Sequence, residues 1–266
     1  MKKIFLTFAA LSLAWAGQAQ IVKSNLLDAY SLGDDLEKSV YEADSGVPIQ
    51  ADTWCGGFMK HPTEGSVSPK IVAGLNYNGY PEEGPAVQLG NLGGMKGTRC
   101  SVYSLTNAKR TYDSGTYYYA FLLNFTKIGN VKAMDLAAFN SNFTGRTSVG
   151  QLFVQKADDG SVMPSIGQGK VLTSCNKTLS LGKTHLVVLK LDYSAQTLSL
   201  FIDPQLGGDE PKADLSIDHS EVLAGKGTSI KGLSITNCHN FNGVVGGFRF
   251  VKTWADLTAS PAVGAL

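Results

Sequence analysis

The sequence predicts an all-β fold, a sandwich of two antiparallel sheets, and three observations carry that expectation. From about residue 65 onward, short apolar stretches alternate with clusters of Gly, Asn, Asp, Ser and Pro, the mark of many strands joined by turns. Several stretches alternate polar and apolar residues with a period of two. Beyond the first residues no long helical period appears, and about ten strands against one short helix call for two packed sheets.

The clearest element is a hairpin over Lys183–Tyr193 and Thr197–Asp203. Val187, Leu189, Leu191 and Tyr193 share one face of the first strand, and Lys190 and Asp192 the other. Leu198, Leu200 and Ile202 repeat the pattern after the Ser194-Ala195-Gln196 break, and Asp203-Pro204 ends it because proline has no N–H for the ladder. Further strands are expected at Ala86–Leu89, Cys100–Leu105, Thr116–Phe125, Gly150–Lys156, Lys170–Ser174, Ala213–Ile217, Ser229–Thr236 and Val244–Val251. Tyr117–Phe125 is apolar on both faces, as a central strand would be. The best helix candidate is Asp34–Ala43, with Leu36, Val40 and Tyr41 on one face, and a final turn is expected at Trp254–Leu257. The Pro/Gly-rich stretch Asn76–Pro85 reads as an ordered loop pinned by Tyr77 and Tyr80.

The N-terminus predicts export. Lys2 and Lys3, an apolar run from Ile4 to Ala16, and the small residues before Gln20 are the three parts of a secretory signal peptide cleaved after Ala19. The run is shorter than the roughly 20 residues a spanning helix needs. The expected organisation is a signal over 1–19, an N-terminal segment over 20–49 packed on the domain, a sandwich over 50–258 and a tail over 259–266. The chain past the signal, about 250 residues, suits a single β-sandwich unit. The expected destination is the periplasm, the cell surface or the exterior.

Composition narrows the partner. Lys and Arg number 23 against 22 Asp and Glu, and charged residues are 17% of the chain. A near-neutral, low-charge surface argues against nucleic acid and anionic membranes, which need clustered bases, and favours neutral partners such as uncharged poly- or oligosaccharides. Cys55, Cys100, Cys175 and Cys238 have no CxxC or ligand-like spacing, so metal and redox chemistry are disfavoured; a disulfide and four small buried apolar residues both stay open. His61, His185, His219 and His239 lie in no catalytic motif, and no Gly-x-Ser-x-Gly turn is present. A Ser/His/Asp triad stays open. The acid pairs Glu82-Glu83, Asp158-Asp159 and Asp209-Glu210 read as solvated turns.

Three stretches in order carry a family likeness. They are Tyr117–Phe125 followed by Gly150–Val154, then Thr184–Tyr193 leading to Leu198–Pro204, then Gly246–Val251 closing with Thr253–Thr258; Gly74–Pro81 precedes them. Together these resemble bacterial secreted proteins with a laminin-G-like jelly roll of the concanavalin A-like lectin/glucanase superfamily. The resemblance covers roughly residues 50–258 and implies two curved antiparallel sheets used for carbohydrate binding, glycan cleavage, adhesion or structure; fold alone does not choose among them. The enzymatic branch implies two carboxylates in a Glu-x-Asp-x-x-Glu strand motif, about 5 Å apart for retaining hydrolysis. That motif is absent.

The candidate ligand-binding residues are outward-facing aromatics flanked by hydrogen-bonding groups: Tyr118, Phe153 and Phe201, with Asn142, Arg146 and Arg249. Burial under a loop is the competing reading for the aromatics. Trp54 and Trp254 are expected to pack on the domain. No cofactor is required; calcium, held by Asp158, Asp159, Asn140 or Asn142, stays an option. The leading expectation is a non-catalytic carbohydrate-binding sandwich. The alternatives are a structural or adhesion module of the cell surface, and a divergent polysaccharide hydrolase or lyase starting from Arg249 and Tyr118.

Overall fold

The computed structural model describes residues 21–37, 52–56, 66–82, 84–90, 92–94, 96–105, 112–142 and 147–260. The signal-like segment, His61, Arg146 and the larger part of the expected helix lie outside them.

The chain forms two antiparallel sheets packed face to face. One holds β1 (Ile21–Lys23), β3 (Ile71–Val72), β4 (Ala86–Leu89), β6 (Thr116–Ile128), β11 (His185–Asp192), β12 (Thr197–Ile202), β13 (Leu215–Asp218) and β15 (Phe241–Val251). Its order is β13-β12-β11-β6-β15-β4-β3, with β1 also pairing β15. The other holds β2 (Trp54–Gly56), β5 (Thr98–Ser104), β7 (Met134–Asn140), β8 (Ser148–Lys156), β9 (Val162–Gln168), β10 (Val171–Ser174) and β14 (Gly232–Cys238), in the order β10-β9-β8-β7-β14-β5-β2. A one-turn helix, α1 (Ser220–Leu223), and a 3-10 turn at Ala255–Leu257 complete the described elements.

The period-two patterns decide which side chains enter the sandwich. Tyr117, Tyr119, Phe121, Leu123 and Phe125 of β6 point into the core with Val187, Leu189 and Leu191 of β11 and Leu198, Leu200 and Ile202 of β12. From the other sheet come Tyr103, Phe139, Leu152, Val154, Leu233 and Ile235. Trp54 lies between the sheets, fully buried against Tyr103 and Phe248, and its Nε1 donates to the Leu26 carbonyl (3.1 Å). As the two-faced apolar pattern of β6 predicts, that strand is central, between β11 and β15.

Two expectations give way. Asp34–Glu37 is not helical: Asp35 forms a β-bridge with Lys70, the Leu36 N–H donates to Pro69 O, and Asp34 O accepts from Ile71 N. The apolar Leu36 is buried in the sandwich core by that extended pairing rather than by a helical face. Glu82 is not a solvated turn residue but is 2% exposed, with its Oε1 accepting from Arg249 Nε (2.5 Å) and its Oε2 from Asn25 N–H (3.0 Å). No disulfide joins the four cysteines; Cys55, Cys175 and Cys238 are buried and Cys100 is half-buried.

Candidate functional site

Each sheet has an outer face, and the two differ in chemistry. On the eight-stranded sheet the outward residues Tyr118, Ala120, Leu122, Leu186, Val188, Phe201 and Val251 are apolar, and the chain covers them with its own loops. Trp254 lies across Phe201 (centroids 4.9 Å) and meets Tyr118 edge-on (5.9 Å). Tyr118 Oη donates to Glu210 Oε2 (2.5 Å), and Lys190 Nζ donates to Glu210 Oε1 (2.8 Å) while standing 5.6 Å over the Tyr118 ring. Tyr80 fixes the loop over residues 76–82 by donating to Gly247 O (2.8 Å). Gly247 takes φ +59° in the bulge that re-aims β15, a backbone that disfavours a side chain. Gly74 is held to glycine by proximity, since a Cβ there would overlap Gly84 O.

Arg249 anchors this cover. It is fully buried; its Nη1 donates to the carbonyls of Asp256 (2.8 Å), Leu257 (3.1 Å) and Ala259 (2.7 Å) while Nε holds Glu82. Burial pushes the Glu82 carboxyl up, and the guanidinium pulls it back without cancelling the rise. Arg249 and Tyr118 share a sheet face, yet their polar atoms serve different partners. Beyond the plug the same face has a shallow depression of about 660 Å³ over Val72, Gln88, Thr126, Asn242 and Val244. No aromatic or ionisable side chain is among the described residues that line it.

The outer face of the seven-stranded sheet is polar. Strand register aligns Ser174, Ser165, Phe153 and Asp135 in one row across β10, β9, β8 and β7. Thr236 of β14 extends the row, its Oγ1 3.5 Å from Asp135 Oδ2, and Cys100 of β5 pairs with Thr236. The next row runs Gly167, Gln151, Ala138, Ser234, Val102. A third brings Ser148, Asn140, Gly232 and Ser104 together. A bulge at Leu136 turns both Leu136 and Ala137 into the core and keeps Asp135 outside with Phe153.

Two groups on this face have unmet hydrogen-bonding capacity. Asn140 is 1% exposed and neither its Oδ1 nor its Nδ2 has a partner. Asp135 Oδ1 is sealed from solvent and equally unpartnered, although the residue as a whole keeps some exposure. Burial pushes the Asp135 carboxyl up to about 7, outweighing Gln151, Thr236 and the Leu136 N–H, which favour the ionised form. Burial likewise pushes the Cys100 thiol up to about 12, so it stays protonated. The strands of this sheet carry Asp135 and no other acid.

The sequence-expected aromatics therefore do not form one strip. Tyr118 and Phe201 lie under Trp254 on one side of the sandwich, and Phe153 lies beside Asp135 on the other. Asn142 follows β7 just past Asn140. Asp158 and Asp159 occupy the exposed β8–β9 turn, at the opposite end of the β7–β8 pair from Asn140 and Asn142, so the four oxygen donors do not converge. Among the described residues no three His, Cys, Asp or Glu side chains cluster. His185 is held at both nitrogens: Nδ1 faces Asp203 Oδ2 (2.7 Å) and Nε2 accepts from Ser180 N–H (3.0 Å), leaving no free lone pair to activate a serine. His219 Nε2 donates to Val149 O (2.8 Å), and its pKa is lowered by burial. Sequence reasoning missed β7, the strand that carries both Asp135 and Asn140; the signal that could have found it was the lone acid preceding an apolar stretch, Met134-Asp135-Leu136.

No family model and no curated protein matches the chain in sequence. Solved structures match it in fold. A GH131 β-glucanase catalytic domain from Podospora anserina shares 14% identity over 88% of this chain and 99% of its own, with a TM-score of 0.50. A carbohydrate esterase of the Shiga toxin-encoding bacteriophage phi24B shares 11% over 83% of this chain and 99% of its own, also at 0.50. The globular domain of T. cruzi calreticulin shares 11% over 77% and 86%, at 0.48. The two antiparallel sheets, with the likeness to the first two of these structures, give the chain a two-sheet jelly-roll sandwich of the concanavalin A-like fold.

Proposed function

We propose that the chain is an exported, non-catalytic carbohydrate-binding sandwich that takes a poly- or oligosaccharide on the outer face of its seven-stranded sheet. The observation that carries this reading is Asn140: a buried amide with donor and acceptor both unpartnered is costly in a finished interior, by about 1–3 kcal/mol, and a pair of sugar hydroxyls satisfies both atoms. Gln151, Thr236 and Ser165 add hydrogen-bonding groups, and the buried Phe153 packs among them. The signal-like N-terminus supports export. Two fold neighbours are by name a β-glucanase and a carbohydrate esterase, which supports a glycan as partner.

Catalysis of the two-carboxylate kind lacks its second acid, since the sheet carries Asp135 alone. The raised pKa of Asp135 favours one second reading, a general acid/base in a divergent hydrolase or lyase. The test is a glycan array with residues 20–266, run with and without calcium, beside a reducing-end assay on the glycans that bind. Retention of a defined glycan without cleavage, lost in Asn140→Ala and Gln151→Ala, is the expected result. Silence across a broad array overturns the reading in favour of a structural module, and cleavage lost in Asp135→Asn overturns its non-catalytic part.

A further inference from the structure

Resting on that carbohydrate-binding reading, we infer that Asp135 is the subsite for a sugar amine, so that the face prefers glycans bearing free amino groups over neutral ones and rejects acidic ones. The charge inventory leads there. Besides Asp135 the seven strands carry two bases, Arg99 and Lys156. Arg99 is committed elsewhere: its Nε donates to Glu37 (2.9 Å), its Nη1 to Ser66 Oγ (2.8 Å), and its register partner is Asn237, not a residue of the Asp135 row. Lys156 ends β8, three residues past Phe153, in register with Val162 of the sandwich core.

Asp135 is thus a carboxylate without a counter-ion among the described residues, and its sealed Oδ1 has no donor. Such a group stays neutral or acquires a cation. An ammonium on a pyranose ring supplies both the missing charge and the missing donor in one group. A hydroxyl supplies only the donor, and a carboxylate or sulfate on the glycan repels. Phe153, directly paired with Asp135, is buried beside it. The other titratable group in the row, Cys100 on β5, is a neutral thiol and does not compete for the amine; β14, β8, β9 and β10 bring no ionisable side chain to the row. Binding of the amine by the protonated form transfers the Asp135 proton to solvent and leaves an ion pair.

The experiment is calorimetric titration of residues 20–266 near neutral pH with three β-1,4-linked hexamers: cellohexaose, N-acetylglucosamine hexamer and glucosamine hexamer. The glucosamine hexamer is expected to bind about tenfold more tightly than its N-acetylated counterpart, about 1.4 kcal/mol. Its heat is expected to vary with the ionisation enthalpy of the buffer, and both effects are expected to vanish in Asp135→Asn, a near-isosteric change whose folding circular dichroism checks. Equal affinities, or a preference that survives Asp135→Asn, overturn the inference while cellohexaose binding leaves the carbohydrate reading in place. Binding of none of the three overturns both.

Discussion

The two outer faces of the sandwich are both largely buried, and they differ in the chemistry of what is buried there. On the eight-stranded sheet the outward positions are Tyr118, Leu122, Leu186, Phe201 and Val251, and Trp254 with the loops over residues 74–82 and 204–213 closes over them. On the seven-stranded sheet the outward positions include Asp135, Asn140, Gln151, Ser165 and Thr236, and two of them hold polar atoms that no described residue satisfies. An apolar sheet face is stabilised by covering it, at roughly 25 cal/mol per Å² removed from water. A polar one gains nothing from an apolar lid. Alternation along a strand says which residues leave the core, and the character of those residues says what kind of neighbour the face takes.

The comparison breaks first, and by the largest margin, at the Glu82–Arg249 pair. Glu82→Ala leaves a buried guanidinium unpaired, and the expected loss is about 3–5 kcal/mol in urea unfolding monitored by tryptophan fluorescence. A loss below about 1 kcal/mol would show that the plug holds without its anchor. Next comes Trp254→Ala, expected to lower stability by about 3 kcal/mol through the cavity over Phe201 while glycan affinity of the folded protein stays unchanged.

On the polar face the effects are smaller and have a different sign. The folded Asp135 carboxyl titrates at about 7 against an ordinary 3.8, so the native state binds the proton more tightly than the unfolded chain. Its contribution to stability is complete below about pH 4 and is lost as pH rises to about 7. Asp135→Asn is therefore expected to match the parent at low pH and to exceed it above pH 7, by on the order of 2 kcal/mol once residual water contact is allowed for. Thermal melts across that range check it, and parallel pH curves for the two proteins would remove the burial argument. Smallest of all, Asn140→Ala is expected to change stability by less than about 1 kcal/mol net, because relief of the unpartnered amide is offset by the packing its side chain loses. The same substitution should weaken glycan binding about tenfold.

Legibility in the sequence followed the regularity of the strands. The β11–β12 hairpin was readable because Val187 to Leu191 and Leu198 to Ile202 alternate without interruption, and the central place of β6 followed from its two apolar faces. β7 was not readable. Ala137 and Ala138 are weak strand formers, and the bulge at Leu136 breaks the period of two at the point where Asp135 must be aimed outward. The feature that aims Asp135 outward is thus the one that hides the strand. Glu82 was opaque for another reason: its partner Arg249 is 167 residues away, and no local pattern announces a long-range ion pair. Tyr118 and Phe201 were rightly placed off the core face, but a one-dimensional pattern cannot say that Trp254 arrives to cover them.

The pairing of β1 with the end of β15 bears on how the domain answers to mechanical force. Ile21 lies opposite Val251, so the two ends of the described chain leave the sheet side by side. Tension applied between them peels β1 from β15 one hydrogen bond at a time, the geometry of a zipper rather than of a lap joint, and yields at low load. The peel then meets a clamp. Glu82 grips the backbone of Asn25 on the N-terminal side, and Arg249 grips the carbonyls of Asp256, Leu257 and Ala259 on the C-terminal side. Because the two side chains hold each other, the load next bears on that buried contact, and through Arg249 on β15 itself.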